Sequence, residues 1–327
     1  MSIISIFLQK AITQGIPLLY GANGEILTEK TGNLNLGVPG MMYMGGVSGL
    51  IGAFLYENAN ADPIPFVGML IAVVCALLGS GLGALIYSVL TISLRANQNV
   101  TGLALTTFGM GFGNFFGGSL SQLAGGVGQL STQLTANAFR AKLPVLSELP
   151  IVGELLFSYG WMTYFALIVT FIHSWFLFRT RVGLNLRAIG ESAATADAAG
   201  VNVTRYKYLA TIFGGMMAGL GGLYFVMEYT GGTWINNGFG DRGWLAVALV
   251  IFARWRPMNA IWGSFLFGGL YILYLYIPGL GRSMQEIFKA LPYLVTMIVL
   301  IITSLRKKRE DQPPAGLGLA YFRESRG

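Results

Sequence analysis

Long apolar runs alternate with short polar breaks along most of the chain, and this alternation sets its class. Trp161 to Phe178, Tyr208 to Met227 and Ile287 to Ser304 approach or reach the roughly 20 apolar residues that a helix needs to cross hydrocarbon. None of these runs shows the strict alternation of the short strands of a membrane barrel. The pattern predicts an all-α, polytopic membrane bundle of about nine spans, near 3–20, 33–55, 66–94, 100–120, 161–178, 207–228, 243–254, 258–277 and 285–305. The seventh is too short to cross alone. It either draws on Gly238 to Arg242 or forms a broken, partly re-entrant element, which a membrane accepts where the backbone is buried in protein.

The segment from Arg179 to Val201 breaks the pattern as a polar, Gly-bounded island between two apolar runs. Ser192 to Ala199 reads as a short helix, with Ser192 as N-cap and Gly200 ending it in the left-handed conformation. Isolated helices below about 12–15 residues are marginal in water, so this one needs a surface. It is expected to dock a soluble partner.

Composition agrees with a membrane location. The 327 residues are 54% hydrophobic and 11% charged, against about 25% charged in soluble domains. The start, Met1 to Lys10, has no basic region before its apolar stretch and no small-residue cleavage site, and reads as a retained first span. One side of the membrane would carry Lys30, Arg95, Arg179, Arg181, Arg187, Arg205, Lys207, Arg254, Arg256 and the basic residues from Arg306 onward. The other would hold Arg140, Lys142, Arg242 and Arg282, with Lys10 and Lys289 in or near spans. The positive-inside rule makes the first side cytoplasmic, with the C-terminus inside and, for an odd span count, the N-terminus outside. The net charge of +7 needs no nucleic-acid partner. Arg306-Lys-Lys-Arg309 reads as an anchor at anionic membrane lipid headgroups.

The division expected is a transmembrane domain over 1–305, with a cytoplasmic loop at 179–205 and an outer loop at 121–160 that holds a short surface helix. A basic cytoplasmic tail, 306–327, is expected to be loosely attached. Glycines are dense in the spans, as in Gly214-Gly215 and Gly221-Gly222, and favour close helix packing over unwinding.

Catalytic signals are sparse. There is no G-x-x-x-x-G-K-[ST] phosphate loop, and neither Cys75 nor His173 has neighbours at metal-ligand spacing, so no cofactor or metal is expected. Asn33, Asn35, Asn97, Gln98 and Asn99 sit at span ends or in Gly-containing stretches, where they either cap and bridge helices or line a polar solute path. Glu228, Asp241 and Arg242 flank a Gly-rich outer loop, read as solvated with one local ion pair.

Four segments together carry a resemblance. Gly24-Glu-Ile-Leu-Thr-Glu-Lys-Thr-Gly-Asn-Leu-Asn-Leu-Gly-Val-Pro-Gly-Met-Met42, Ala96-Asn-Gln-Asn-Val-Thr-Gly-Leu-Ala-Leu105, Arg187 to Val201 and Gly243 to Pro257 follow one another in the order found in ABC importer permeases. The chain resembles the branched-chain amino acid, ribose and nucleoside group of these permeases from roughly Gly15 to Leu305, most closely its nucleoside and simple-sugar subgroup. One departure is Pro39, where that subgroup commonly has an acid; it puts any role of that acid in doubt.

The resemblance implies a multi-pass subunit of a bacterial inner membrane with no motor of its own. It would pair with a second permease subunit as a heterodimer. Cytoplasmic ABC ATPases would dock on it, and an extracytoplasmic solute-binding protein would deliver a nucleoside or sugar-like solute. Gly190, Glu191, Ser192, Ala193, Ala194, Asp197 and Gly200 would form the ATPase-coupling element, with Ala196 and Ala198 also allowing close docking. Glu191 would cap the short helix or pair with a basic residue of the ATPase. The path would use Asn33, Asn35, Asn97 and Asn99. A branched-chain amino acid permease and a self-contained ion-coupled transporter are the alternatives.

Overall fold

A computed structural model describes residues 3–123, 132–142, 152–306 and 312–322. Among the described residues the regular structure is helical: α1 (Ile3–Glu29), α2 (Val38–Ala59), α3 (Pro65–Ser88), α4 (Gln98–Leu123), α5 (Gln133–Phe139), α6 (Val152–Leu156) and α7 (Trp161–Arg179) come first. Then follow α8 (Arg181–Glu191), α9 (Ala193–Ala198), α10 (Val203–Tyr224), α11 (Arg242–Phe252), α12 (Pro257–Ile272), α13 (Arg282–Lys289) and α14 (Leu291–Arg306). Proline opens α2, α3 and α12, where its missing N–H costs nothing.

Among the described residues, seven helical stretches are long and apolar enough to cross a membrane: Ile3–Glu29, Val38–Ala59, Pro65–Ser93, Trp161–Arg179, Val203–Tyr229, Pro257–Tyr276 and Arg282–Ile302. The other two of the nine expected apolar segments are α4 and the 11-residue α11. At 1.5 Å per residue α11 covers only about half of a hydrocarbon core. The loop before it dips inward, burying Trp234 and Phe239, and α11 then runs from the level of Gln14 in α1 toward that of Glu29. The inward-dipping loop and the short seventh segment thus cross together, as one broken span, from the Arg140 side to the Glu29 side.

α1 lies at the centre, packed along α10, α12 and α11, while α2 packs along α3, α10 and α4. Glycine lets the backbones touch. A Cβ on Gly24 would overlap the Gly214 carbonyl, and one on Gly45 would overlap Gly219. Close packing is therefore the use made of these glycines.

The two ends of α1 define opposite faces. Phe7 meets the Tyr276 ring edge-on at 5.1 Å, beside the pocket that holds Lys10, Arg140 and Lys142. Glu29 and Lys30 lie at the other end, with Trp255, Gly190 and residues 312–322.

Over 312–322 the tail is fastened, not loosely attached as its composition suggests. Gly316 N–H donates to the Gly190 carbonyl at 2.8 Å, and Gly318 N–H to that of Gly32 at 3.1 Å. Lys307, Lys308 and Arg309 of the expected lipid anchor lie outside the described residues, as does much of the 121–160 loop. Within that loop α5 is a short helix, but it packs into the bundle: Ala136 and Phe139 are buried, and the Thr135 N–H donates to Glu57 Oε1 at 2.8 Å.

Candidate functional site

The polar island folds as a pair of helices. Thr180 Oγ1 accepts the Gly183 N–H at 3.0 Å to start α8, and Ser192 Oγ accepts the Thr195 N–H at 3.3 Å to start α9. Gly200 ends α9 with φ +84°, a conformation that strains any side-chain-bearing residue. Ala196 faces inward, packed with Ile189 and Val203, so it offers nothing to a partner. Glu191, Ser192, Ala194, Thr195 and Ala198 are exposed on the outside of this pair, while Ala193 and Asp197 are half-buried. Gly190 is buried: a Cβ there would overlap the Lys30 carbonyl. Its place is thus a seam between α8, the loop after α1 and the C-terminal segment.

That loop, residues 30–37, is where the resembling segments meet. Gln98 Oε1 accepts the Leu34 N–H at 2.7 Å, the Tyr87 hydroxyl donates to the Leu34 carbonyl, and Thr106 Oγ1 donates to the Leu36 carbonyl at 2.7 Å. Glu25 Oε1 accepts the Asn35 N–H at 3.0 Å, and the Trp255 indole N–H donates to Glu29. Trp255 and Arg254 both have positive φ, 53° and 56°. Two consecutive left-handed residues that are not glycine cost free energy, and here they hold the indole on the carboxylate.

Glu25 and Glu29 are site residues that the hydropathy pattern misses, because it ends the first span at residue 20. The available signal is two acids one helical turn apart beside an apolar run.

Glu191 does not cap α9; Ser192 does. Glu191 instead lies within electrostatic reach of Lys30. Burial pushes the Lys30 amine down to about 8; Glu191 opposes this, Arg187 and Arg256 add to it, and Glu29 also opposes it. The folded chain therefore binds this proton less tightly than the unfolded chain, and the linked stability rises as pH climbs from about 8 to the ordinary lysine value of 10.5. In NMR of 13C-methylated lysines, one resonance, lost in Lys30→Arg, is expected to titrate near 8. A Lys30 resonance titrating with the exposed lysines would contradict this environment.

The four asparagines do not form one cluster. Asn33 is buried, donates to Thr211 Oγ1 at 3.1 Å and lines a recess on the Lys30 face. Asn35 is buried and turns the loop, its Oδ1 accepting the Gly37 N–H at 2.9 Å. Asn97 caps the start of α4, accepting the Val100 N–H at 3.1 Å, and Asn99 is exposed.

On the opposite face, residues 235–237 and Asp241 are exposed as expected of a solvated loop, but the flanking Arg242 and Glu228 are buried. Arg242 is only 7% exposed, its guanidinium 4.7 Å from the Phe225 ring centroid and 5.0 Å from that of Tyr229. It donates to the Gly238 and Phe239 carbonyls, and with the Gln14 amide turned it also reaches Gln14 Oε1 at 2.7 Å. Glu228 is buried as well, its carboxylate against Gly160 at the start of α7. Aromatic faces and backbone carbonyls solvate the Arg242 charge in place of water. Pro39 packs on Gly243 at the head of α11.

Known proteins share this sequence along nearly its whole length. Residues 7–302 match the family described as branched-chain amino acid transport system, permease component. A chain of Haloferax volcanii assigned as a glucose ABC transporter permease is 32% identical, over 99% of each chain. A nucleoside ABC transporter permease of Lactococcus lactis subsp. cremoris is 28% identical over 91% of this chain and 92% of its own. A guanosine ABC transporter permease of Bacillus subtilis is 28% identical over 100% of this chain and 99% of its own. No solved structure matches. A bundle with seven membrane-length helices, matched from residue 7 to residue 302, places this multi-pass membrane protein in the family of branched-chain amino acid transport system permease components.

Proposed function

We propose that the chain is the translocation subunit of an ATP-driven importer for a nucleoside or a simple sugar. The observation that carries the motor side is α9: it is capped by its own residues, fastened through buried Ala196, and presents Ala194 and Ala198 outward. Small exposed side chains let a partner's backbone come close, and a short helix fixed at both ends passes on a push as a rigid body. Glu191, Ser192, Ala193, Asp197 and Gly200 complete this coupling element, with Gly190 fixing it to the bundle. The solute class is supported by the nucleoside, guanosine and glucose named for the relatives, all of which are or contain a sugar.

The Lys30 face is then cytoplasmic and the start of α1 faces outward, a reading supported by the bias of basic residues to that face. A second permease completes the path, separate ATPases hydrolyse ATP, and a solute-binding protein delivers solute at the outer face. The membrane is a bacterial inner membrane. Asn33 stands at the inner end of the path, with Asn97 and Asn99 near the rim, while Asn35 shapes the loop.

The test is a disulfide or bifunctional crosslink from Ala198→Cys, made in a Cys75→Ala background because Cys75 is the chain's single cysteine. A crosslink to the co-purifying ATPase that changes with bound nucleotide is expected. No adduct in an ATP-hydrolysing complex would remove α9 as the contact.

A further inference from the structure

A recess of about 740 Å3 opens on the Lys30 face between the first turn of α10, the connection from α3 to α4 and the C-terminal segment. Lys207 lines it, is only 4% exposed, and has no hydrogen-bond or ion-pair partner among the described residues. A buried ammonium without a partner is costly, so its retention at the wall of a cavity points to an anion there.

Further donors converge on the same space. Arg95 lines it with φ +57°, its guanidinium 4.4 Å from the ring centroid of Phe322 in the C-terminal segment. Arg205 is a third cation, and Asp197 is the one acid among the described lining residues. The 22-residue α10 points its N-terminus at the recess, with the Asn202 side chain taking the Arg205 N–H and Val203 and Thr204 lining the wall. Asn33 adds a buried Oδ1 that has no hydrogen-bond partner, an acceptor suited to a hydroxyl.

We propose that this recess binds a phosphate ester: Lys207, Arg95, Arg205 and the α10 N-terminus hold the phosphate, and Asn33 accepts from a hydroxyl of the remainder. Its size suits a small phosphorylated molecule, since ligand pockets span about 300–1,000 Å3. A soluble sugar phosphate and the headgroup of an anionic lipid share this chemistry. The site includes Asn33, also placed at the inner end of the path, but its occupancy is read at equilibrium without ATP or turnover. A failure of the importer reading and a failure of this one are therefore separate results.

The test uses the complex in nanodiscs of phosphatidylcholine alone, titrated with labelled ribose 5-phosphate, which avoids the nucleotide sites of an ATPase. Saturable binding, displaced by orthophosphate, weakened by added salt and reduced at least about tenfold in both Lys207→Gln and Arg95→Gln, is expected for a soluble ligand. If ribose 5-phosphate does not bind but phosphatidylglycerol, supplied in mixed nanodiscs, is retained by the wild type and lost from both variants, the headgroup is the source. Should Lys207→Gln fail to assemble, exposed Arg95→Gln decides alone. Neither probe bound, or binding unchanged by these substitutions, overturns the proposal.

Discussion

Valine in place of Gly222 is expected to abolish transport and to destabilise the bundle more than the loss of any one buried polar contact. A Cβ at that position would overlap the Met42 carbonyl and stand 2.7 Å from the Met42 carbonyl carbon and 3.0 Å from the Gly46 nitrogen. All three are backbone atoms, so no rotamer change relieves the clash and α10 must move away from α2. Overpacking ordinarily costs about 1–3 kcal/mol, and a backbone collision in the centre of the bundle belongs at or above the top of that range. Size-exclusion thermostability of detergent-solubilised protein is the readout. The control is Gly111→Ala in α4, where a Cβ meets nothing within 4 Å; it is expected to match wild type or gain up to about 1 kcal/mol from helix propensity. Equal behaviour of the two variants would contradict the close α2–α10 packing.

The second large effect concerns Glu29 and Trp255. Removing the carboxylate in Glu29→Ala leaves the buried indole N–H without its acceptor, at a cost of about 1–3 kcal/mol. Trp255→Phe strands the carboxylate from the other side and should cost a similar amount. The double variant is expected to cost clearly less than the two single ones together, because each already breaks the same contact. Strict additivity in a thermal-unfolding cycle would mean that the two side chains do not act as a pair. Loss here should also reach the loop at 30–37, because Glu25 in the same helix accepts the Asn35 N–H and Gly190 abuts Lys30.

Much of this architecture is legible in the chain. The apolar runs mark the spans, the short seventh run marks the broken crossing that ends in α11, and Ser192 and Gly200 bound α9 where cap chemistry places them. What escapes is polar material that folds inside. Hydropathy ends the first span at residue 20, whereas α1 continues to Glu29, because Asn23, Glu25 and Glu29 find partners within the protein. It begins the second span at Asn33, whereas α2 begins at Val38, since 30–37 is a clamped loop. Arg242 looks solvated in sequence for the same reason: most of the aromatic rings around it come from distant segments. In each case a local pattern reports polarity, and only the three-dimensional neighbours decide whether that polarity meets water.

The element with the clearest functional signal in sequence, the polar island, is also the most locally determined. Its caps lie within three residues of the groups they satisfy. The recess around Lys207 is the opposite case, assembled from Asn33, Arg95, Arg205 and the C-terminal segment, and no spacing along the chain announces it.

The measurement that bears most directly on the importer reading is uptake into proteoliposomes containing the chain with its co-purifying permease and ATPase partners and the solute-binding protein. Labelled guanosine, adenosine, ribose, glucose and leucine are supplied in turn, with and without ATP on the ATPase side. Uptake of a nucleoside or a sugar that requires ATP hydrolysis, with leucine left outside, is the predicted result. Uptake driven by an ion gradient with no ATPase present, or ATP-driven uptake of leucine alone, would contradict it.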